Sequence, residues 1–476
     1  MLAFDTAKIL HSGALRFCGP DLKRLGDLMP EPEISNSVFG SPVFRDVGGC
    51  WRMYYLAEGI DGKTAAVHAA RYAESADGIA WEFRSALTFE GVPAEAQVRH
   101  LSVLEPCAED PEWKLFAWVF CFEAGFTRYV CFSSEDGVRF RCLNFDRPCL
   151  LHPVDSAAGG KAGFEGLIPR AVNSPDRVGG LSFEELLRRR RLLSNDSTVV
   201  YRLPGGGFEL YSVWLTENPA DGPNHTPIDN APTIFRMIQR RSSADGIVWT
   251  TPEIVIPNDP DGPFQLQYYY LNMTRFGSWR LGMLGRYPCD RQIIEPELVL
   301  SRDGRSWERP WKQPWIRLED EGERAGLIHT GHHFVDCGES WRVYYSVSRY
   351  PHNNRQMGNP FPRRRGIYAA EVGKGRLLGL SGSGIVETRP FLFSDGSMRI
   401  DANVRGSLRF ELLDLNGRPL PGRTLADSLP VSGDSDRLEP RWKNADGERI
   451  CCDVLSLRIE VEDGTFYRLS KKPEER

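Results

Sequence analysis

Apolar and polar residues alternate along most of this chain, which is the pattern of half-buried β-strands. Runs such as WRMYYLA, WKLFAWVFCF, FELYSVWL and WRVYYSV combine that alternation with many aromatic residues. Helical periodicity is rare. Only one stretch, Ser182 to Leu193, predicts a helix, with Ser182 as its N-cap and Glu185 as the capping-box partner. The pattern therefore predicts an all-β protein.

A seven-residue motif recurs four times, as SADGIAW, SEDGVRF, SADGIVW and SRDGRSW. In each copy a serine stands two residues before an aspartate that is followed by glycine, and an aromatic residue stands four residues after that aspartate. Asp-Gly favours a tight hairpin because both residues tolerate positive φ. We expect each motif to close the last hairpin of a repeated unit, with the aromatic residue beginning the outermost strand.

Each copy of the motif follows a strand pair built around an aromatic residue, and these pairs begin at Trp51, Trp113, Phe208 and Trp279. A fifth such run, from Gly338, lacks the Asp-Gly turn. Five units of about four strands predict a five-bladed β-propeller, because neighbouring blades cover the faces that one small sheet leaves exposed. Unrelated hairpins in a sandwich are the alternative.

The pattern predicts two domains. The propeller spans residues 1–384 and carries an insertion at about 148–195, which either decorates a functional rim or is a solvated excursion. The glycine- and serine-rich stretch Leu380 to Gly384 is interpreted as a linker. Residues 385–476 contain further strands separated by Asp-Gly and Asn-Gly turns, and they predict a β-sandwich.

The composition narrows the function classes. The chain has 476 residues and a formal net charge of −5, so its overall charge does not attract nucleic acid. Its two arginine runs are interpreted as solvated faces. No stretch has the roughly 18 apolar residues of a membrane span, and no secretory signal opens the chain. The 11 cysteines show no metal spacing. We therefore expect a cytoplasmic protein with free thiols, no metal and no cofactor; the alternative for its location is a mature secreted chain whose signal has been removed.

The repeated SADGIxW hairpins and the tail segments GSLRFELLDLNGRPLPG and DVLSLRIEVEDGTFYRL resemble the five-bladed glycoside hydrolases. The likeness is greatest to uncharacterised family 32-like proteins, with the family 43 arabinanases and xylosidases as relatives. It covers nearly the whole chain. The resemblance implies three carboxylates at the axial opening, on the beginnings of inner strands, acting as nucleophile or base, as transition-state stabiliser and as general acid.

The resemblance then implies catalytic positions. Where family 32 enzymes carry an N-terminal aspartate, this chain has Asn36 and Ser37. Asp196, in SNDSTVVYR, matches the aspartate-bearing start of blade three and is the leading stabiliser or base; the alternative is a turn aspartate at the strand entrance. The acid candidates are Glu295, at the beginning of a strand that is not the innermost, and Asp261, at the start of blade four.

Other residues are candidates for substrate binding. Arg286 and Arg170 could clamp hydroxyl or carboxylate groups, and His329 opens blade five and could bind sugar hydroxyls. Glu165 could reach the pocket from the insertion. Each of them could instead be structural.

The sequence thus predicts a glycoside hydrolase that acts on a furanoside or other glycosidic linkage. The alternatives are a catalytically silent carbohydrate-binding propeller and a protein-interaction propeller. A carbohydrate is the expected partner, nucleic acid and membrane are not, and the oligomeric state is left open.

Overall fold

The computed structural model describes residues 1–5, 7–46, 48–58, 68–121, 124–152, 155, 197–217, 226–229, 234–257, 259, 262, 265–319, 325–352, 365–443, 450 and 453–471. All 29 elements assigned within them are β-strands, numbered β1 to β29 in chain order. Contacts divide the chain into two units. One comprises Met1–Lys23, Gly338–Trp341 and Val372–Arg476; the other comprises Arg24–Cys337 and Arg342–Glu371. The helix predicted at Ser182 to Leu193 falls outside the described residues.

Five sheets, antiparallel except for one pair of strands in the second, form the blades of a propeller, which confirms the predicted fold. The first blade contains β4 (Ser35–Ser37), β5 (Val43–Arg45), β6 (Trp51–Glu58), β7 (His68–Ser75) and β8 (Glu82–Ala86). The second contains β9 (Thr88–Glu90), β10 (Gln97–Leu104), β11 (Trp113–Cys121), β12 (Phe126–Ser134), β13 (Arg139–Cys142) and β14 (Leu150–Leu151). In this blade β9 pairs in parallel with β13.

The third blade contains β15 (Thr198–Arg202), β16 (Phe208–Glu217), β17 (Ile234–Ser243) and β18 (Glu253–Ile256). The fourth contains β19 (Leu266–Phe276), β20 (Trp279–Pro288) and β21 (Glu295–Ser301). The fifth contains β22 (Leu327–Asp336), β23 (Ser340–Ser348), β24 (Arg365–Gly373) and, from the beginning of the chain, β3 (Lys23–Leu25). The last blade is thus completed by the first part of the chain.

The inner strands hold one another by hydrogen bonds at the middle of the propeller. The amide of Gly40 in the first blade donates to the carbonyl of Thr330 in the fifth (3.1 Å). Asn272 Nδ2 in the fourth blade donates to the same carbonyl (2.9 Å). The amide of Val200 in the third blade donates to Ser102 Oγ in the second (3.2 Å). These bonds align the beginnings of the inner strands at one end of the axis.

The repeated motif serves two purposes. Within each copy the serine Oγ accepts the glycine amide, and the aspartate Oδ1 accepts the two amides that follow the glycine, as Ser75 and Asp77 show. The glycine has positive φ, +73° at Gly78, which only glycine adopts without strain. In the first and third blades the motif joins the third strand to the outermost one, as predicted, whereas in the second blade β9 lies outside the strand that follows the motif.

The glycine of the motif also docks against the preceding blade. Tyr54 Oη donates to the carbonyl of Gly137 (3.0 Å), and Tyr211 Oη donates to that of Gly304 (3.1 Å). Between blades two and three, Phe116 lies against Gly246 instead. Hydrophobic clusters fill the spaces beside these contacts, for example Val38, Tyr55 and Ile367 between the first and fifth blades. The motif is therefore a connection between blades as well as a turn.

The second unit is consistent with the predicted β-sandwich. Its strands are β1 (Ile9–Gly13), β2 (Arg16–Cys18), β25 (Gly379–Thr388), β26 (Phe391–Phe393), β27 (Met398–Leu413), β28 (Val431–Leu438) and β29 (Asp453–Lys471). The central order is β1-β25-β29-β27-β28, and register shifts interrupt the long pairing of β27 with β29. Leu408, Phe410, Leu457 and Ile459 lie in its buried core.

The predicted linker, Leu380 to Gly384, is instead part of β25. The unit containing it takes in residues 1–23 and resumes at Val372, whereas the sequence pattern suggested a boundary at 384. The glycines permit close strand approach, because a Cβ on Gly384 would lie 2.2 Å from the carbonyl oxygen of Ser12 in β1. Among the described residues there is no helix with the length and apolar character needed to cross a membrane.

Candidate functional site

Four rings from four blades meet where the inner strands begin. Phe39, from the first blade, stacks on His329 of the fifth blade with ring centroids 4.1 Å apart. His100 of the second blade lies edge-on to Phe39 (5.5 Å), and Tyr269 of the fourth blade stacks on His329 (5.9 Å). We call Phe39, His100, Tyr269 and His329 the axial ring cluster. It combines aromatic faces with imidazole and hydroxyl groups that can form hydrogen bonds, which suits a sugar.

Local irregularities of the strands lie at two of these rings. β10 has a register shift between Arg99 and Ser102, and His100 within it has a φ of +56°. β19 has a register shift between Tyr268 and Leu271, which encloses Tyr269. Bulges re-aim side chains, and a non-glycine residue at positive φ carries backbone strain; both features are common next to functional sites.

A buried carboxylate lies behind the cluster. Asp229 follows β16 and pairs with Arg236 of β17, with Oδ1 3.0 Å from Nη2. Its Oδ2 accepts from Tyr287 Oη (2.5 Å) and from Gln292 Nε2 (3.2 Å). The guanidinium of Arg236 lies 5.9 Å from the centre of the Tyr269 ring. This network places a compensated negative charge beside the fourth-blade side of the cluster.

A histidine connects that carboxylate network to the axial ring cluster. His352 Nδ1 is 3.2 Å from Tyr287 Oη, and His352 Nε2 is 2.8 Å from Tyr269 Oη. The amide of His352 donates to the carbonyl of Gln292 (2.8 Å), which fixes the backbone beside the ring. The polar groups therefore form a continuous chain from Asp229 to Tyr269.

Among the described residues that the sequence analysis named for a site, which are Glu295, Arg286 and His329, the structure brings His329 into the cluster. Its ring is buried and stacks on the rings of Phe39 and Tyr269. Asp196, Asp261, Glu165 and Arg170 lie outside the described residues. Ser197, which directly follows Asp196 in the chain, is described and buried immediately before β15. The roles of these four residues stay predictions.

Glu295 and Arg286 face each other on the third and second strands of the fourth blade. Glu295 begins β21, the third strand of its blade, and its Oε1 accepts the amide of Leu318 (2.9 Å). Arg286 Nε lies 3.1 Å from Glu297 Oε2, and Arg309 binds both oxygens of that carboxylate at 2.8 Å. Glu297 is fully buried. Arg286 is thus part of a buried ion-pair group, which is the structural alternative that the sequence left open.

Asn36 and Ser37, which stand where the resemblance implies an N-terminal aspartate, are buried. Asn36 Nδ2 donates to the carbonyls of Glu31 (2.9 Å) and Ile34 (2.8 Å). Ser37 Oγ accepts the amide of Phe39 (3.4 Å). Both residues therefore shape the bend that carries Phe39, and neither supplies a carboxylate.

The opposite end of the axis holds a pocket of about 310 Å³ to which all five blades contribute, with Phe44, Glu105, Tyr201, Arg275 and His333 among its lining residues. His332 also lines it, and His332 Nδ1 lies 3.2 Å from His333 Nδ1. Burial lowers the pKa of His332 to about 3 and that of His333 to about 4. No cluster of three or more metal-ligating side chains occurs among the described residues.

Sequence reasoning missed Asp229, Tyr287 and His352. They lie after β16, in β20 and after β23, so no motif spacing joins them. The only available signal was the alternation that turns Tyr287 to one face of β20, and that signal is shared by many aromatic residues of this chain.

No protein-family model matches the chain, and no curated protein matches it. Among solved structures, one described as a glycoside hydrolase is 12% identical with a TM-score of 0.48, covering 74% of this chain and 92% of that one. A thermostable family-43 glycoside hydrolase is 14% identical with a TM-score of 0.44, covering 73% and 93%. A glycosyl hydrolase from Bacteroides ovatus is 12% identical with a TM-score of 0.44, covering 76% and 95%.

Proposed function

We propose that this protein is a glycoside hydrolase that acts on a furanoside or another glycosidic linkage at the axial opening of its propeller. The observation that carries the proposal is the axial ring cluster, in which four blades present rings at the beginnings of their inner strands. Aromatic faces beside neutral hydrogen-bonding groups are suited to the alternating apolar and hydroxylated surfaces of a sugar ring.

The chemistry requires carboxylates around that opening. Hydrolysis needs a proton for the leaving oxygen and a base or nucleophile on the other face of the sugar. We assign Asp196 as stabiliser or base, because it directly precedes buried Ser197 and the inner strand β15 in the chain. Glu295 and Asp261 are the candidate acids. The buried Asp229 is paired with Arg236 and is therefore not assigned a catalytic role.

The test is release of reducing sugar from a panel of aryl glycosides and oligosaccharides, furanosides included. Wild type is compared with Asp196→Ala and with Asp290→Ala, an exposed aspartate of the fourth blade that serves as a matched control. We expect wild type and Asp290→Ala to cleave at least one substrate, and Asp196→Ala to lose at least about a hundredfold in kcat/KM. Equal rates for all three proteins would refute the role of Asp196.

A second candidate is a carbohydrate-binding propeller without catalysis. The specific observation in its favour is that Asn36 occupies the N-terminal position and hydrogen-bonds to two carbonyls, where the related enzymes carry an aspartate. Isothermal titration with the panel oligosaccharides distinguishes the two functions. Saturable binding without release of reducing sugar supports this candidate, whereas turnover that depends on Asp196 excludes it.

A further inference from the structure

The chain of hydrogen bonds from Asp229 to Tyr269 has a defined direction. Tyr287 Oη has a single proton and lies 2.5 Å from Asp229 Oδ2. A carboxylate can only accept, so Tyr287 donates to Asp229. Arg236 and Gln292 also donate to this carboxylate, and their donation favours its ionised form. The oxygen of Tyr287 is left as an acceptor.

The direction of the first bond settles the tautomer of His352. Its Nδ1 faces the oxygen of Tyr287 at 3.2 Å, and since that oxygen can only accept there, Nδ1 carries the proton. In a neutral imidazole Nε2 is then unprotonated. Tyr269 Oη, 2.8 Å from Nε2, must therefore donate to it. All the protons of these hydrogen bonds then point away from the axis, toward Asp229.

The surroundings keep this arrangement in place. Burial, followed by the charge of Asp229, raises the pKa of Tyr287 well above its usual value, so this hydroxyl keeps its proton. The guanidinium of Arg236 lies 5.5 Å from the centre of the Tyr287 ring and balances the charge of Asp229. His352 packs edge-on against both tyrosine rings, at 5.1 Å from Tyr269 and 5.3 Å from Tyr287.

A phenolic oxygen that has donated its only proton can take part in further hydrogen bonds only as an acceptor. We propose that Tyr269 is a specificity-determining residue that accepts a hydrogen bond from a hydroxyl of the carbohydrate, and that Asp229, Tyr287 and His352 are positioning residues that hold it in this role. The part that concerns the ligand rests on the proposed function. The direction of the hydrogen bonds between Tyr269 and Asp229 does not rest on it.

The first experiment therefore needs no ligand. Long-range ¹H–¹⁵N correlation spectra of the full-length protein report which ring nitrogen of each histidine is protonated, and a His352→Gln spectrum assigns the signal. We expect the Nδ1–H tautomer for His352 in wild type. We also expect Tyr287→Phe to shift His352 toward the Nε2–H form, because the acceptor at Nδ1 is lost. An Nε2–H tautomer or a doubly protonated ring in the wild type would overturn the proposal without the use of any variant, because in either form Nε2 carries a proton and Tyr269 does not donate to it.

The second experiment addresses the ligand, with 4-nitrophenyl α-L-arabinofuranoside and 4-nitrophenyl β-D-xylopyranoside as probes of turnover and binding. We expect Tyr269→Phe to reduce kcat/KM, or affinity if binding occurs without turnover, about tenfold. Tyr211→Phe, which removes another buried hydroxyl but lies at the contact with Gly304, should change neither. Unchanged values for Tyr269→Phe would overturn the role of this hydroxyl.

The two arms separate two kinds of failure. If wild type neither cleaves nor binds these probes or the wider panel, the proposed function is wrong, and the ligand role of Tyr269 fails with it. The tautomer of His352 would still show the direction of the hydrogen bonds between Tyr269 and Asp229. If wild type acts on a probe but His352 is in the Nε2–H form, the proposed function stands and the inference about Tyr269 is wrong.

Discussion

Tyr344 Oη donates a hydrogen bond of 2.7 Å to the carbonyl oxygen of Gly78, and this bond joins the fifth blade to the first. The same contact occurs between blades one and two, where Tyr54 donates to Gly137. Arg342 adds a bond from Nη1 to the carbonyl of Asp77 (2.8 Å). The turn of the repeated motif therefore takes part in closing the ring of blades.

Replacing the tyrosine at this closure should destabilise the propeller. Tyr344→Phe keeps the packing of the ring but leaves the carbonyl of Gly78 without this donor, so we expect about 1 kcal/mol less free energy of unfolding. Urea unfolding followed by tryptophan fluorescence measures it. Tyr54→Phe is the matched control and should cost a similar amount. If Tyr344→Phe unfolds at the wild-type urea concentration, the closing bond contributes nothing.

Replacing the glycine of the motif by alanine should cost more stability than its positive φ alone accounts for. In Gly78→Ala the new Cβ would lie 2.5 Å from Arg342 Nη1 and 2.6 Å from Tyr344 Oη, at a φ of +73°. Gly277→Ala, with a φ of +57° and open space around its Cβ position, isolates the backbone cost, which is about 1–2 kcal/mol. We expect Gly78→Ala to lower the melting temperature clearly more than Gly277→Ala. An equal loss of melting temperature in the two variants would mean that Arg342 and Tyr344 move away from the new Cβ without a cost in stability.

The buried histidines predict a loss of stability in mild acid. Burial lowers the pKa of His332 from the ordinary value of 6.5 to about 3. Between these two pH values the imidazole is protonated in the unfolded chain but stays neutral in the folded protein. The stabilising contribution is therefore complete above pH 6.5 and is lost progressively as the pH falls toward 3. At pH 5 the loss is about 2 kcal/mol for this group. Urea unfolding at pH 7.5 and pH 5 measures it.

The matched variant for this effect is His332→Gln, whose amide can still donate to the carbonyl of Val200 that His332 contacts at 2.8 Å. We expect the variant to lose less stability than wild type between pH 7.5 and pH 5, because it has no imidazole to protonate at this position. The same pH dependence in both proteins would contradict a buried, neutral His332.

Introducing an aspartate at position 36 should destabilise the fold. In Asn36→Asp a carboxylate would face the carbonyl oxygens of Glu31 and Ile34, to which Asn36 now donates. We expect a loss of about 3 kcal/mol at pH 7, larger than that of Asn36→Ala, since the aspartate adds a buried charge. The difference in free energy of unfolding between Asn36→Asp and Asn36→Ala should become smaller at pH 4, where the carboxyl group can protonate. Chemical denaturation at both pH values is the measurement; equal stability of Asn36→Asp and wild type would show that the site accommodates a charge.

Local signals in the sequence predicted much of the architecture. The serine and aspartate of each motif bind amides within three residues of themselves, so Ser75 and Asp77 fold the same turn wherever this spacing occurs. Glu295 was expected on a strand other than the innermost, and it lies on the third strand of its blade. The linker prediction at Leu380 to Gly384 was wrong, because these residues belong to β25. Composition does not distinguish glycines that make a segment flexible from glycines that let a neighbouring strand pack closely.

By itself, the sequence determined the strands, the turns and the number of blades, because these depend on alternation and on contacts between residues close in the chain. Only the tertiary structure decided which side chains share a site. Phe39 and His329 lie far apart in the chain and stack because their inner strands begin at the same end of the axis. Asp229 reaches Tyr269 through two residues from other elements. Such groupings depend on the register between blades, which no local pattern encodes.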